Sequence, residues 1–134
     1  MEKTIRIGGQ EIRFRASALV PRLYRVRFGR DMIVDMRSLQ KSYNRVKALP
    51  ADASEEERAD AQLSALDLTI FENMAFVMAK HATKDLPDSP EEWLDQIDGT
   101  FSVYTVLPQL LELWGMGMKT TSAAKKNKKR AHGS

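Results

Sequence analysis

Side chains that do chemistry are few in this chain. It holds two histidines and no cysteine among 134 residues, so thiol nucleophiles, thiolate metal sites and disulfides are excluded. His132 stands in a lysine-rich end. His81 stands alone near the end of a long apolar helical pattern, where the helix dipole favours a cation. Neither belongs to a set of imidazoles and carboxylates at metal-ligand spacing. No Ser–His–Asp or Ser–Lys arrangement can be nominated. Glu55, Glu56 and Glu57 are consecutive, which suits the positive end of a helix better than acid/base work. Gly8-Gly9 is not followed by the Lys-Ser/Thr of a phosphate loop. The residues therefore read as a non-enzyme with no cofactor and no metal site.

Charge is the stronger signal. The net +3 hides a segregation along the chain. Residues 13–47 carry ten basic groups against two acids, a net +8. Residues 48–112 carry three basic groups against fourteen acids, a net −11. Residues 113–134 carry six basic groups and no acid. The high isoelectric point thus belongs to the last segment, which weakens any argument from basicity to nucleic acid. Opposed charge blocks favour steered protein association, within one molecule or between two. The lysine run at 125–130 has no interleaved aromatic to stack bases. Residues 20–45 have a helix–turn–helix outline, but Asp31 would open the reading helix and set a carboxylate against phosphates or base edges. DNA binding is disfavoured on that ground.

The elements that position these groups follow from periodicity. Thr4 to Ile7 and Glu11 to Arg15 alternate around a Gly-Gly turn, the pattern of a β-hairpin burying Ile5, Ile7, Ile12 and Phe14. A short helix is predicted over 21–28, with Pro21 in its first turn, Leu23, Tyr24 and Phe28 on one side, and Gly29 closing it. Asp31 caps a second helix over about 32–48, with Ile33, Met36, Leu39 and Tyr43 at apolar spacing. Ser54 and Glu57 form a capping-box pattern. It opens one long helix to about His81, whose stripe includes Leu63, Leu66, Leu68, Ile70, Phe71, Met74, Phe76, Val77 and Met78. Ser89-Pro90-Glu91-Glu92 starts a short helix with Trp93, Leu94 and Ile97 inward, closed by Gly99. Phe101 to Trp114 is a last apolar helix, which Pro108 would kink. No run approaches the roughly 18 apolar residues of a membrane span. The fold class is mainly α (α+β). A hairpin and about five helices form one small bundle over 1–114, and 115–134 is a disordered basic tail.

Four stretches, in this order, resemble tail assembly chaperones of long-tailed bacteriophages and prophages of Gram-positive bacteria. They are Leu19 to Asp31 with Asp35-Met36, Phe71 to Lys80, Glu91 to Ile97, and Leu107-Pro108 to Trp114, within residues 5–114. The resemblance implies a cytoplasmic protein of the bacterial host, absent from the mature virion. It implies binding to the tape measure protein, a long helical protein kept soluble until the tail tube polymerises around it. It also implies a longer form made by programmed frameshifting, whose extra domain recruits tail tube protein. This chain would be the short form. Many copies along one client would give avidity, so self-association is expected. Motif residues Pro21, Tyr24, Arg25, Phe28, Gly29, Arg30 and Asp31 are assigned either to a helix–turn–helix corner or to client contact. Met32, Met36, Met74 and Met78 are assigned either to core or to an adaptable client surface. Trp93 and Trp114 join the candidate residues, and the client groove is expected between the basic helices and the long acidic one. Two alternatives compete: a small tail protein retained in the virion, and a nucleic-acid-binding helical module.

Overall fold

Residues 1–99 and 101–116 are described by the computed structural model. Alternation in the first fifteen residues yields an antiparallel hairpin of β1 (Glu2–Ile7) and β2 (Gln10–Arg15). Ile5 faces Ile12, and Ile7 faces Gln10 across a two-residue Gly8-Gly9 turn in which both glycines have positive φ. Such a turn matches the right-handed strand twist and favours glycine. Ile5, Ile7, Ile12 and Phe14 are buried, as the alternation predicts. A lone hairpin is marginal in water. This one lies with β2 along α4 and β1 against α6.

Six helices follow: α1 (Leu19–Phe28), α2 (Met32–Lys47), α3 (Glu55–Ala61), α4 (Ala65–Ala82), α5 (Pro90–Asp95) and α6 (Val103–Leu113). The bundle thus has one helix more than the periodicity implies, because the expected long helix is two. Ser54 and Glu57 do form a capping box. A further box, Ser64 with Asp67, starts a new helix ten residues later. Gln62 is extended between them and Leu63 turns into the core. The apolar spacing begins only at Leu63 and α3 (EEERADA) holds none of it, so the stripe gives no support for one continuous helix. Leu66 and Leu68, expected on the buried stripe, are exposed in the first turn of α4.

From Ile70 onward α4 is buried almost all round, the mark of a central helix. It contacts β2, α1, α2, α5 and α6. Trp93 of α5 packs edge-on against Phe14 and Phe101 and tilts against Phe76, with centroids 5.5–6.4 Å apart. Such pairs favour these offsets through the ring quadrupole. Phe101 precedes α6 instead of belonging to it, yet stacks on Phe71 at 4.9 Å.

Pro108 sits inside α6 and removes the N–H that would bond the Tyr104 carbonyl. The Tyr43 hydroxyl donates to that carbonyl at 3.4 Å, so α2 supplies what proline withholds. Gly115 then closes α6 with positive φ: its N–H bonds the Glu112 carbonyl, and that of Met116 the Leu111 carbonyl. This is the Schellman pattern. Met116 packs against the core, so Gly115 and Met116, past the expected boundary at 114, belong to the fold. The remainder of the expected tail, with His132 and the lysine run, lies outside the described residues.

Two further side-chain placements depart from expectation. Leu23 and Ile33, expected to face inward, are 37% and 38% exposed. In α2 the buried residues are Met32, Asp35, Met36, Leu39, Ser42 and Tyr43, which keeps the expected Met36, Leu39 and Tyr43 and departs from the expected stripe only at Ile33. An aspartate occupies the inward position that an apolar pattern would leave to a hydrocarbon.

Candidate functional site

That aspartate organises the turn between α1 and α2. Gly29 ends α1 with φ 68°, and its N–H returns to the Arg25 carbonyl. Asp31 is extended, and its carboxylate accepts the N–H groups of Ile33 and Val34, capping α2. Asp35, one turn on, accepts from the Tyr24 hydroxyl at 2.7 Å. It also takes both ends of the Arg30 guanidinium fork, at 2.8 and 2.9 Å. Bidentate pairing of this kind fixes geometry as well as charge. The Tyr24 ring is buried and lies 5.2 Å from Phe28.

The electrostatics agree with this wiring. Burial pushes the Asp35 carboxyl up, but hydrogen bonds from Arg30 and Tyr24 and the guanidinium charge outweigh it and hold it below its ordinary value. Burial, then the neighbouring carboxylate, pushes the Tyr24 hydroxyl well above the ordinary tyrosine range. A tyrosine held protonated beside a locked carboxylate is a structural joint. Both residues are buried, so neither is open to a substrate.

The nominated residues therefore divide. Tyr24, Gly29, Arg30 and Asp31 meet in the corner, with Phe28 half-buried beside them. Pro21 is half-buried in the first turn of α1, and Arg25 is exposed, contributing its carbonyl to the Gly29 cap. Trp93 is core. The Trp114 indole N–H points at the Met78 sulfur, 3.5 Å away. Met32, Met36, Met74 and Met78 are at most 1% exposed. Of the two readings of the methionines, core is the one this fold shows. Asp31 spends its carboxylate on the cap of α2, a local hydrogen-bonding role.

His81 makes a local contact at the end of α4. Its Nε2 lies 3.0 Å from the Ser17 hydroxyl. Burial, with Arg15 and Lys84 nearby, pushes its pKa down. Among the described residues no cluster of three metal-ligating side chains occurs, and no helix is long and apolar enough to cross a membrane.

The feature that sequence reading did not locate is a groove between α1 and α4. Its floor is Leu19, Leu23 and Val26 from α1, with Phe76 and Val77 from α4. Arg27, Lys80, His81 and Lys84 complete its lining, and its volume is about 470 Å³. Val26 is 75% exposed. The signal was present in α1 as another apolar set at i, i+4 and i+7, rotated away from Val20 and Tyr24. The groove lies between a basic helix and the central helix of the acidic half.

The chain matches no known protein-family model, no curated protein and no solved structure.

Proposed function

We propose that this protein is a tail assembly chaperone of a long-tailed bacteriophage or prophage, which binds the tape measure protein and keeps it soluble before the tail tube polymerises. The observation that carries the binding half of this reading is the outer apolar face of α1. A helix that already buries Val20 and Tyr24 also presents Leu19, Leu23 and Val26 to solvent. Clustered exposed apolar side chains with a polar rim mark partner sites. The client is supplied by the resemblance of the four ordered stretches. A tape measure exposes long apolar helical faces until it is enclosed, so a partner that covers them removes an aggregation hazard.

The test is co-expression with a tape measure protein from the same phage or prophage, followed by affinity capture and a mass measurement. The expected result is a client that is soluble only with this chain, in a complex holding many copies. A client that stays insoluble, with no complex, would remove the assignment. Recovery of this chain in purified virions would point to a retained tail protein instead.

A further inference from the structure

We infer that the α1–α4 groove takes an amphipathic α-helix whose apolar stripe is flanked by carboxylates. The inference rests on the reading of this groove as the client face and names the chemistry that the client segment must present.

The occupant's backbone decides its conformation. Both walls of the groove are helices, whose main-chain N–H and C=O groups beyond the end turns pair within the helix. An extended peptide laid there would leave its own backbone groups without partners. A helix satisfies its backbone internally and needs only side-chain complementarity. Leu19, Leu23 and Val26 run along α1 over seven residues, about 10 Å at the helical rise. That length matches two turns of a docked helix carrying apolar residues at i, i+3 or i+4, and i+7.

The rim decides its charge. The helix α1 contains Arg22, Arg25 and Arg27 and no acid. Helical spacing puts Arg22 and Arg27 on the two flanks of the apolar stripe. The Arg27 guanidinium lies 5.0 Å from the Phe76 ring centroid and donates to the Asp88 carbonyl, which leaves further donors of the fork open. On the α4 side, Lys80 pairs with Asp88 at 3.1 Å. Among the described residues Arg22 and Lys84 make no ion pair. Asp85 and Asp88 lie in the loop after α4, and Glu2 is close enough to act on His81. Arg22, Arg27, Lys80 and Lys84, with Arg15 beside His81, keep the rim in positive excess with those three counted. A cationic flank would be repelled, and an acidic one steered in.

The test pairs a folding control with a charge control. A fluorescein-labelled alanine-based helical peptide with leucines at the stated spacing and glutamate flanks is titrated into the full chain and followed by anisotropy. Its twin carries lysine flanks, and a third peptide scrambles the order. The glutamate peptide is expected to bind at least about tenfold more tightly than either. Val26→Asp is expected to remove that binding while circular dichroism and the unfolding midpoint stay unchanged. Equal binding of the three peptides, or binding indifferent to Val26→Asp, would overturn the proposal. So would Val26-dependent binding to phosphatidylglycerol vesicles in place of the peptide, or Val26-dependent self-association that the peptide does not compete. In co-expression, a client kept soluble by Val26→Asp leaves the chaperone reading standing and removes the groove as its site. A client insoluble even with the natural chain removes the chaperone reading, and the peptide titration then decides the groove alone.

Discussion

The two faces of α1 are built on opposite rules. One face carries Tyr24 into a sealed joint, where its hydroxyl, the Asp35 carboxylate and the Arg30 fork satisfy one another. The other carries Leu19, Leu23 and Val26 to solvent. The inner face has the chemical features of a site, an ionised carboxylate and a perturbed tyrosine, and is structural. The outer face resembles unfinished packing and is the better candidate for function. Perturbed pKa values mark sites only when the group is also reachable.

The joint gives the largest expected effect. Asp35→Ala leaves the Tyr24 hydroxyl buried without its acceptor and Arg30 without its partner. Arg30 is nearly half exposed and recovers some hydration, so the loss is about 3 kcal/mol and not more, read as a lower urea midpoint at unchanged slope. The pH dependence has a definite sign. The folded Asp35 pKa lies below its ordinary value of 3.8. Its stabilisation is therefore complete above that value and is lost as pH falls through the folded one. The gap between the natural chain and Asp35→Ala should shrink on acidification below about pH 4. A gap that stays constant would mean that the carboxylate is not the group being locked.

The hairpin turn offers another contrast, between two adjacent glycines. Both have positive φ, so alanine is strained at either. At Gly8 an added Cβ would also lie 1.8 Å from the Asp98 carbonyl oxygen, whereas nothing lies within 4 Å at Gly9. The Gln10 side chain donates to the Gln96 carbonyl at 2.7 Å beside it, so the hairpin tip is pressed against the end of α5. Gly8→Ala should cost about 2 kcal/mol, and Gly9→Ala about 1. Equal thermal shifts for the two would deny that contact. Tyr43→Phe follows, at roughly 0.5–1 kcal/mol, since it strips the donor from a long hydrogen bond to the carbonyl that Pro108 leaves open. The same substitution in a Pro108→Ala background should cost less, as the helix then satisfies that carbonyl itself.

What could be read from the sequence depended on whether one element or two had to be known. The hairpin was legible because strict alternation around Gly8-Gly9 leaves one face for the core. The start of α5 was legible because Ser89, Pro90 and Glu92 fix it locally. The division of the expected long helix was legible in part, since Ser64 and Asp67 form a second cap pattern and the apolar spacing begins only at Leu63. In α2 the spacing placed Met36, Leu39 and Tyr43 inward, but Asp35 was not legible, since an inward acid makes sense only once Tyr24 and Arg30 are known to reach it. The groove needs Phe76 and Val77 of α4 beside Leu19 of α1, residues more than fifty positions apart whose meeting no local pattern announces.

The smallest expected effect is the most informative about the two faces. Val26 is 75% exposed and is absent from the core cluster. Val26→Asp removes little buried surface and places its carboxylate among the arginines of α1, so stability should change by no more than about 0.5 kcal/mol. Tyr24→Phe, two residues away on the same helix, should cost about 1 kcal/mol through the lost bond to Asp35. Urea titrations of the two variants side by side would measure the asymmetry directly. If Val26→Asp unfolds the protein as readily as Tyr24→Phe, both faces belong to the core and the groove is a packing seam. If it does not, the protein holds Leu19, Leu23 and Val26 in solvent with no stability drawn from them, and an occupant must supply the reason.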